Sequence, residues 1–180
     1  MKKTVKDIDL KNKRVLMRVD FNVPMAEGKV TDDKRIKAAL PTIKYVLEQG
    51  ASLLLMSHLG RPKGGPDPEF SLRAASETLA ALLGIPVQMA PDCVGAEVEK
   101  LAKAMKPGDV MMLENTRYHA GEEKNDLDLA KQMIDKFVKN TAREIRIDYI
   151  QKVVCDYFDL PIELLKSKTR KREVVQARQI

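Results

Sequence analysis

Three short apolar runs, Arg14 to Val19 (RVLMRV), Ser52 to Met56 (SLLLM) and Asp109 to Leu113 (DVMML), set the tightest limit on what this chain can fold into. Each is brief, bounded by charge or glycine, and nearly free of polar alternation. That is the pattern of strands covered on both faces, as in a parallel sheet. Between them, Asp33 to Gln49, Ser71 to Leu83 and Cys93 to Met105 carry helical spacing, for example Ile36, Leu40, Ile43 and Leu47. Gly50 and Gly84 stand where helix C-terminal glycines are expected. A further short strand at Val87 to Met89 follows the turn signal Gly84-Ile85-Pro86. The alternation predicts an α/β fold, a partial Rossmann-like parallel sheet with flanking helices built from right-handed βαβ units.

The pattern changes after Asp126, so the expected division is 1–126 and 127–180. Leu129, Met133, Ile134 and Phe137 continue a helix. Ile147, Ile150, Val154 and Phe158 mark another, with Asp148 and Gln151 spaced as a capping box, and no further strand is visible. Residues 127–180 thus read as an all-helical C-terminal segment. They hold 12 basic and 8 acidic side chains, with a dense basic run from Lys166 to Arg172. The whole length of 180 residues suits one domain, or one plus a fragment, and 44 % hydrophobic residues suffice for a core. Apolar runs such as Leu53 to Met56 fall far short of the ~20 residues a membrane helix needs, so a cytoplasmic protein without membrane contact is expected. Cys93 and Cys155 show no ligand spacing and read as free, buried thiols.

Ligands of open α/β sheets bind beyond the carboxyl ends of the strands. All three clear strands end in polar clusters: Asp20-Phe-Asn-Val-Pro24, Ser57-His-Leu-Gly-Arg-Pro62 and Glu114-Asn-Thr-Arg-Tyr-His119. Parallel strands place these loops along one rim, bringing His58, Arg61, Arg117 and His119 near Asp20 and Asn22. Arg35 opens the helix after the first loop. Arginine forks match phosphate and carboxylate oxygens, and Asp20 and Asn22 suit a hydroxyl, so the implied ligand is a small hydroxylated anion carrying phosphate. Each residue alone has a plainer reading. Arg14 and Arg18 are most simply structural, Arg61 and Arg117 are solvated charges or helix-end partners, His119 is a surface residue, and Asp20 and Asn22 cap a turn. The case for function is the coincidence of three such loops at equivalent positions. Gly60-Arg-Pro-Lys-Gly-Gly65 lacks the G-K-[ST] ending of a P-loop, and no G-x-G-x-x-G follows a strand.

Arg18-Val-Asp-Phe-Asn-Val-Pro24, Thr31-Asp-Asp-Lys-Arg-Ile36, Met56-Ser-His-Leu-Gly-Arg-Pro62 and Leu113-Glu-Asn-Thr-Arg117 resemble, in order and spacing, the successive signature stretches of phosphoglycerate kinases. The resemblance covers Met1 to about Asp126. It implies the beginning of an N-terminal, 3-phosphoglycerate-binding lobe. In that family a second lobe binds magnesium with ATP or ADP, and the enzymes move a phosphoryl group between 1,3-bisphosphoglycerate and ADP in glycolysis. By resemblance Asp20 and Asn22 contact the substrate's hydroxyl and carboxylate region, and Arg35 meets the phosphoryl group in flight. His58, Arg61 and Arg117 then form the basic patch around the substrate phosphate. No site for Mg2+ or ATP/ADP is visible here, so these residues alone are expected to be inactive.

Ile147-Asp-Tyr-Ile-Gln-Lys-Val-Val154 and Ser167-Lys-Thr-Arg-Lys-Arg-Glu-Val-Val-Gln-Ala-Arg-Gln179 resemble the beginning of the DNA-binding domain of the bacterial chromosomal replication initiator. The resemblance places Arg170 and Arg172 in a basic loop, with Gln176 and Arg178 just after it, and implies weak, salt-dependent contact with DNA backbone. The alternatives to the kinase reading are thus a weak DNA-binding module or a chimera that does neither task.

Overall fold

The computed structural model describes residues 4–63, 65–137, 155 and 161. The chain divides into two compact units, Met1–Lys139 and Asn140–Ile180, and nearly all described residues belong to the first. In the second, Cys155 is helical and buried; the expected helix around Asp148 and the candidate DNA contacts Arg170, Arg172, Gln176 and Arg178 lie outside the described residues.

Four parallel strands form the main sheet: β1 (Arg14–Arg18), β4 (Ser52–Met56), β5 (Val87–Met89) and β6 (Val110–Met112), in the order β1-β4-β6-β5. The expected strands thus form, Ser52–Met56 and Val87–Met89 with the expected bounds, the first shortened at Val19 and the last by one residue at each end. β4 sits centrally and is buried along almost its whole length, which is why its sequence is an unbroken apolar run. Its successive side chains point to opposite faces. Leu53 and Leu55 join Ile36, Ile43 and Val46 of α1 (Lys34–Glu48) and Ala75 and Leu79 of α2 (Arg73–Leu83). Leu54 joins Val98 and Ala102 of α3 (Ala96–Ala104) and Met133 and Phe137 of α4 (Leu127–Phe137). Two cores, one on each face, are the doubly wound arrangement that the apolar runs require. No helix among the described residues is long and apolar enough to cross a membrane.

Three local features go beyond the sequence reading. A small antiparallel hairpin, β2 (Met25–Ala26) with β3 (Lys29–Val30), turns through Glu27 and Gly28, both at positive φ. Its two-residue strands are too short to show a period. Helix α3 starts at Ala96 rather than Cys93, because the chain bends through residues 91–95 and the Asp92 carboxylate accepts the Cys93 N–H at 2.6 Å. Helix α4 buries Met133 and Phe137 in the same unit as the sheet, so compact structure continues past Asp126 to Phe137. Arg14, expected to be structural, donates to the carbonyls of Phe137 and Lys103 at 3.2 and 3.5 Å, at the C-terminal ends of α4 and α3, where a cation is favoured.

The loops at the carboxyl ends of the strands are fixed by buried polar side chains. Asn115, 0 % exposed, accepts the N–H groups of Leu59 (3.2 Å) and Arg117 (3.1 Å) through Oδ1. Its Nδ2 donates to the carbonyls of Leu59 (2.7 Å) and Phe70 (2.9 Å), which uses the full capacity of the amide. Ser57 Oγ accepts the Phe21 N–H at 2.9 Å, joining the loops after β1 and β4, and its carbonyl accepts both the N–H and the hydroxyl of Thr116 at 3.1 Å. Glu114 accepts from Ser71 Oγ and the Leu72 N–H, tying the approach to α2 to the loop after β6. Replacing Asn115 by Ala strands two backbone N–H and two C=O groups, so we expect a loss of about 3 kcal/mol. Urea denaturation followed by circular dichroism measures it, and a loss below about 1 kcal/mol contradicts the clamp.

Candidate functional site

The first loop and the start of α1 form one hydrogen-bonded corner. Asp20 Oδ1 accepts the Asn22 N–H at 3.2 Å, a local turn that its short carboxylate favours. Arg35 Nη1 donates to both Asp20 oxygens (3.0 and 2.9 Å) and to the Asn22 carbonyl (2.9 Å). Asn22 Oδ1 in turn accepts the Gly60 N–H at 2.9 Å, and Arg117 Nη1 donates to the Gly60 carbonyl at 2.9 Å. Gly60 is therefore held from the first loop on one side and the third loop on the other. Its φ of +60° and the ring of Phe70 beside it, which an added Cβ would strike, explain why glycine stands there. The neighbouring residues are thereby placed on the rim, with Arg61 exposed and His58 between buried and exposed.

The charges of the rim are largely balanced internally. Glu122 lies 3.0 Å from Arg18 Nη2 and 3.4 Å from Arg117 Nε, and Glu123 lies 3.7 Å from Arg117. Burial opposes ionisation of Glu122, but Arg18 and Arg117 outweigh it and hold the carboxyl below its usual range. Burial, then the charge of Arg117, lowers the pKa of His58, with Glu122, Arg18 and Asp20 also acting on it. A neutral His58 at pH 7 follows, available to hydrogen-bond an anion. The Arg35–Asp20 pair is more than half exposed on both sides, so it is worth at most ~1 kcal/mol and yields readily to a stronger anion. Arg61 makes no ion pair with a described residue. The arrangement can exchange its own carboxylates for phosphate and carboxylate oxygens of a ligand. A 470 Å3 cavity lies beside Arg35, lined also by Asn22, Asp32 and Lys34.

His119 does not join this group. Its Nε2 lies 2.7 Å from Asp92 Oδ1, and Asp92 follows β5, the edge strand opposite β1. It borders instead a 660 Å3 cavity shared by the hairpin, the start of α2 and the loop after β5, rich in carboxylates. Sequence reasoning missed Asn115, Glu122 and Arg18 as members of the rim. Asn115 carried one signal, an amide just before a short turn, here the 3-10 segment Thr116–Tyr118 that it caps. Glu122 and Arg18 meet across 104 positions, a separation that no local pattern reveals. Among the described residues, Asp92, Cys93 and His119 are the one group of three metal-ligating side chains with converging donor atoms. A thiol and an imidazole do not suit Mg2+, which takes oxygen ligands, so this group of three is not a magnesium site.

Comparison with known proteins identifies the family of this chain. Residues 5–141 match the sequence model of phosphoglycerate kinase, and residues 147–180 match that of the bacterial dnaA protein helix-turn-helix. The phosphoglycerate kinase of Fervidobacterium nodosum is 63 % identical over 131 residues, covering 73 % of this chain and 33 % of the relative. That of Chloroherpeton thalassium is 61 % identical over 132 residues, with the same coverage. The solved phosphoglycerate kinase of Coxiella burnetii superposes with a TM-score of 0.61 at 40 % identity, over 72 % of this chain and 32 % of that one. That of Pyrococcus horikoshii gives 0.66 at 33 % identity, over 73 % and 34 %. The chain spans about a third of the length of the relatives it matches. By the extent of the match and the identity of its relatives, this chain belongs to the phosphoglycerate kinase family.

Proposed function

We propose that the rim formed by Asp20, Asn22, Arg35, His58, Arg61 and Arg117 binds 3-phosphoglycerate or 1,3-bisphosphoglycerate, as the substrate half of a cytoplasmic, glycolytic phosphoryl transfer to or from ADP. The observation that carries this reading is the hydrogen-bonded chain Arg35–Asp20–Asn22–Gly60–Arg117, which links three loops at one end of the sheet. Arg117, His58 and Arg61 serve the substrate phosphate, and Asp20 and Asn22 the hydroxyl and carboxylate end. Arg35 is the catalytic group. Phosphoryl transfer proceeds through a loose transition state with charge spread over the oxygens, so fixed positive charge at the transferring group is what the protein must supply. A guanidinium is charged at any working pH, so Arg35 needs no tuning. We further propose that these 180 residues, which span about a third of the length of the relatives they match, turn over no substrate by themselves.

The matched segment at 147–180 supports a second, weaker activity. In this reading an all-helical segment, residues 127–180, follows the kinase-like segment, residues 1–126, and Arg170, Arg172, Gln176 and Arg178 touch DNA phosphates without sequence choice. Electrophoretic retardation of duplex DNA at low salt, lost by about 150 mM, is the expected result. No retardation at any salt contradicts it.

Thermal denaturation with and without 3-phosphoglycerate tests the main reading. At a ligand concentration near 100 Kd the folded state gains about 2.7 kcal/mol, seen as a rise in Tm. Arg61→Ala and Arg117→Ala should each shrink that rise. An unchanged Tm at millimolar ligand, or variants with an undiminished rise, contradicts it.

A further inference from the structure

A second cluster lies on the opposite side of the sheet's carboxyl end, and the family reading gives it no task. β5 and β6 run side by side in register, Met89 against Met112, so the chain beyond each strand emerges at the same place. Asp92 and Cys93 follow β5, and His119 follows the short turn after β6. Neighbouring side chains on an extended strand point to opposite faces. Residues 91–95 instead form a continuous bend, and the donor atoms of Asp92, Cys93 and His119 all lie within 4.8 Å of one another.

We propose that Asp92, Cys93 and His119 form a binding site for a zinc-class divalent cation. One thiolate, one imidazole and one carboxylate are a donor set that zinc favours, with water as the fourth ligand of an open tetrahedral site. Around such an ion the donors stand about 3.3–3.6 Å apart, given bonds of ~2.0–2.2 Å to N and O and ~2.3 Å to S. The 4.8 Å envelope therefore needs only a modest contraction of the side chains. Asp92 Oδ1 accepts the Cys93 N–H and lies 2.7 Å from His119 Nε2; coordination through that nitrogen replaces the His119–Asp92 contact with a bond to the ion.

The surroundings favour a cation. The adjoining 660 Å3 cavity is lined by Glu27, Asp67, Glu69, Glu77 and Glu114 as well as Asp92, against a single cationic side chain, Arg73. His119 and Asp92 are partly exposed, which gives the ion an entry path, while Cys93 is 0 % exposed and forms the dry floor. Burial, then the charge of Asp92, pushes the Cys93 thiol up to about 12, so it is protonated in the metal-free protein. Binding would exchange that proton for the metal and release it to solvent, as thiolate coordination requires. The cluster shares no residue with the rim of Arg35 and Arg117, and its test is independent of 3-phosphoglycerate.

The experiment is titration of the full 180-residue chain with Co2+, an open-shell substitute for zinc whose thiolate complexes absorb in the near ultraviolet. The chain has two cysteines, Cys93 and Cys155, so the origin of any thiolate band is decidable. We expect one Co2+ per chain, a thiolate–cobalt band displaced by Zn2+, its retention in Cys155→Ser and its loss in Cys93→Ser. His119→Gln, at a partly exposed position that leaves the core intact, should weaken Co2+ binding at least about tenfold with an unchanged circular dichroism spectrum. The wild-type chain without a band overturns the site and leaves a core thiol beside a hydrogen-bonded His119–Asp92 pair. So does a band that survives Cys93→Ser, or an affinity unaltered in His119→Gln.

Discussion

Asn115 is fully buried, and its four hydrogen bonds all end on the backbone of the segments that shape the rim: Leu59, Phe70 and Arg117. A buried amide with every donor and acceptor satisfied favours one arrangement of its partners, because any rearrangement leaves polar groups dry and unpaired. Here the partners are the loops after two neighbouring strands and the approach to α2. Ser57 adds the loop after β1 through its contact with the Phe21 N–H. The positions of His58, Arg61 and Arg117 are therefore consequences of packing beneath them. Surface ion pairs alone would not give such order, since each is worth little in water.

The sheet supplies the rest of the geometry. Parallel strands deliver all their carboxyl ends to one side, and the order β1-β4-β6-β5 sorts the loops that follow. Loops after β1, β4 and β6 converge on Gly60, while the loop after β5 meets the far end of the segment after β6 at His119. Two chemically different clusters arise from one topological rule. One has arginines balanced by Asp20 and Glu122, suited to trade carboxylate partners for those of an anionic ligand. The other gathers a thiol, an imidazole and carboxylates, with the opposite charge preference.

Much of the fold could be read from the sequence because its signals are local. The run Leu53-Leu54-Leu55 can be buried on both faces only in a central strand, and Gly84 takes a φ of +72° at the end of α2, as a helix C-terminal glycine should. The hairpin at Glu27 and Gly28 escaped because two-residue strands carry no period, and Glu27 is an unusual residue at positive φ. Of the site, the residue types and the common rim were legible from the clusters that end the strands. The contacts that order them were not: Arg18 with Glu122, and Asn115 with Leu59 and Phe70, join residues far apart in the chain. The displacement of His119 toward Asp92 depended on strand order, which alternation of strands and helices leaves open.

The proposed site has Arg61 and Arg117, on loops ordered by the buried amide of Asn115, and Arg35, at the start of α1 and held by Asp20 and Asn22, converge on one phosphorylated three-carbon acid. It is tested most directly by nuclear magnetic resonance of the arginine Nε–H groups of the full chain during titration with 3-phosphoglycerate. Resonances of Arg35, Arg61 and Arg117 moving along a single saturation curve, with Arg73 beside the acidic cavity unmoved, is the predicted result. Unmoved rim arginines, or Arg73 shifting as much as they do, would contradict it.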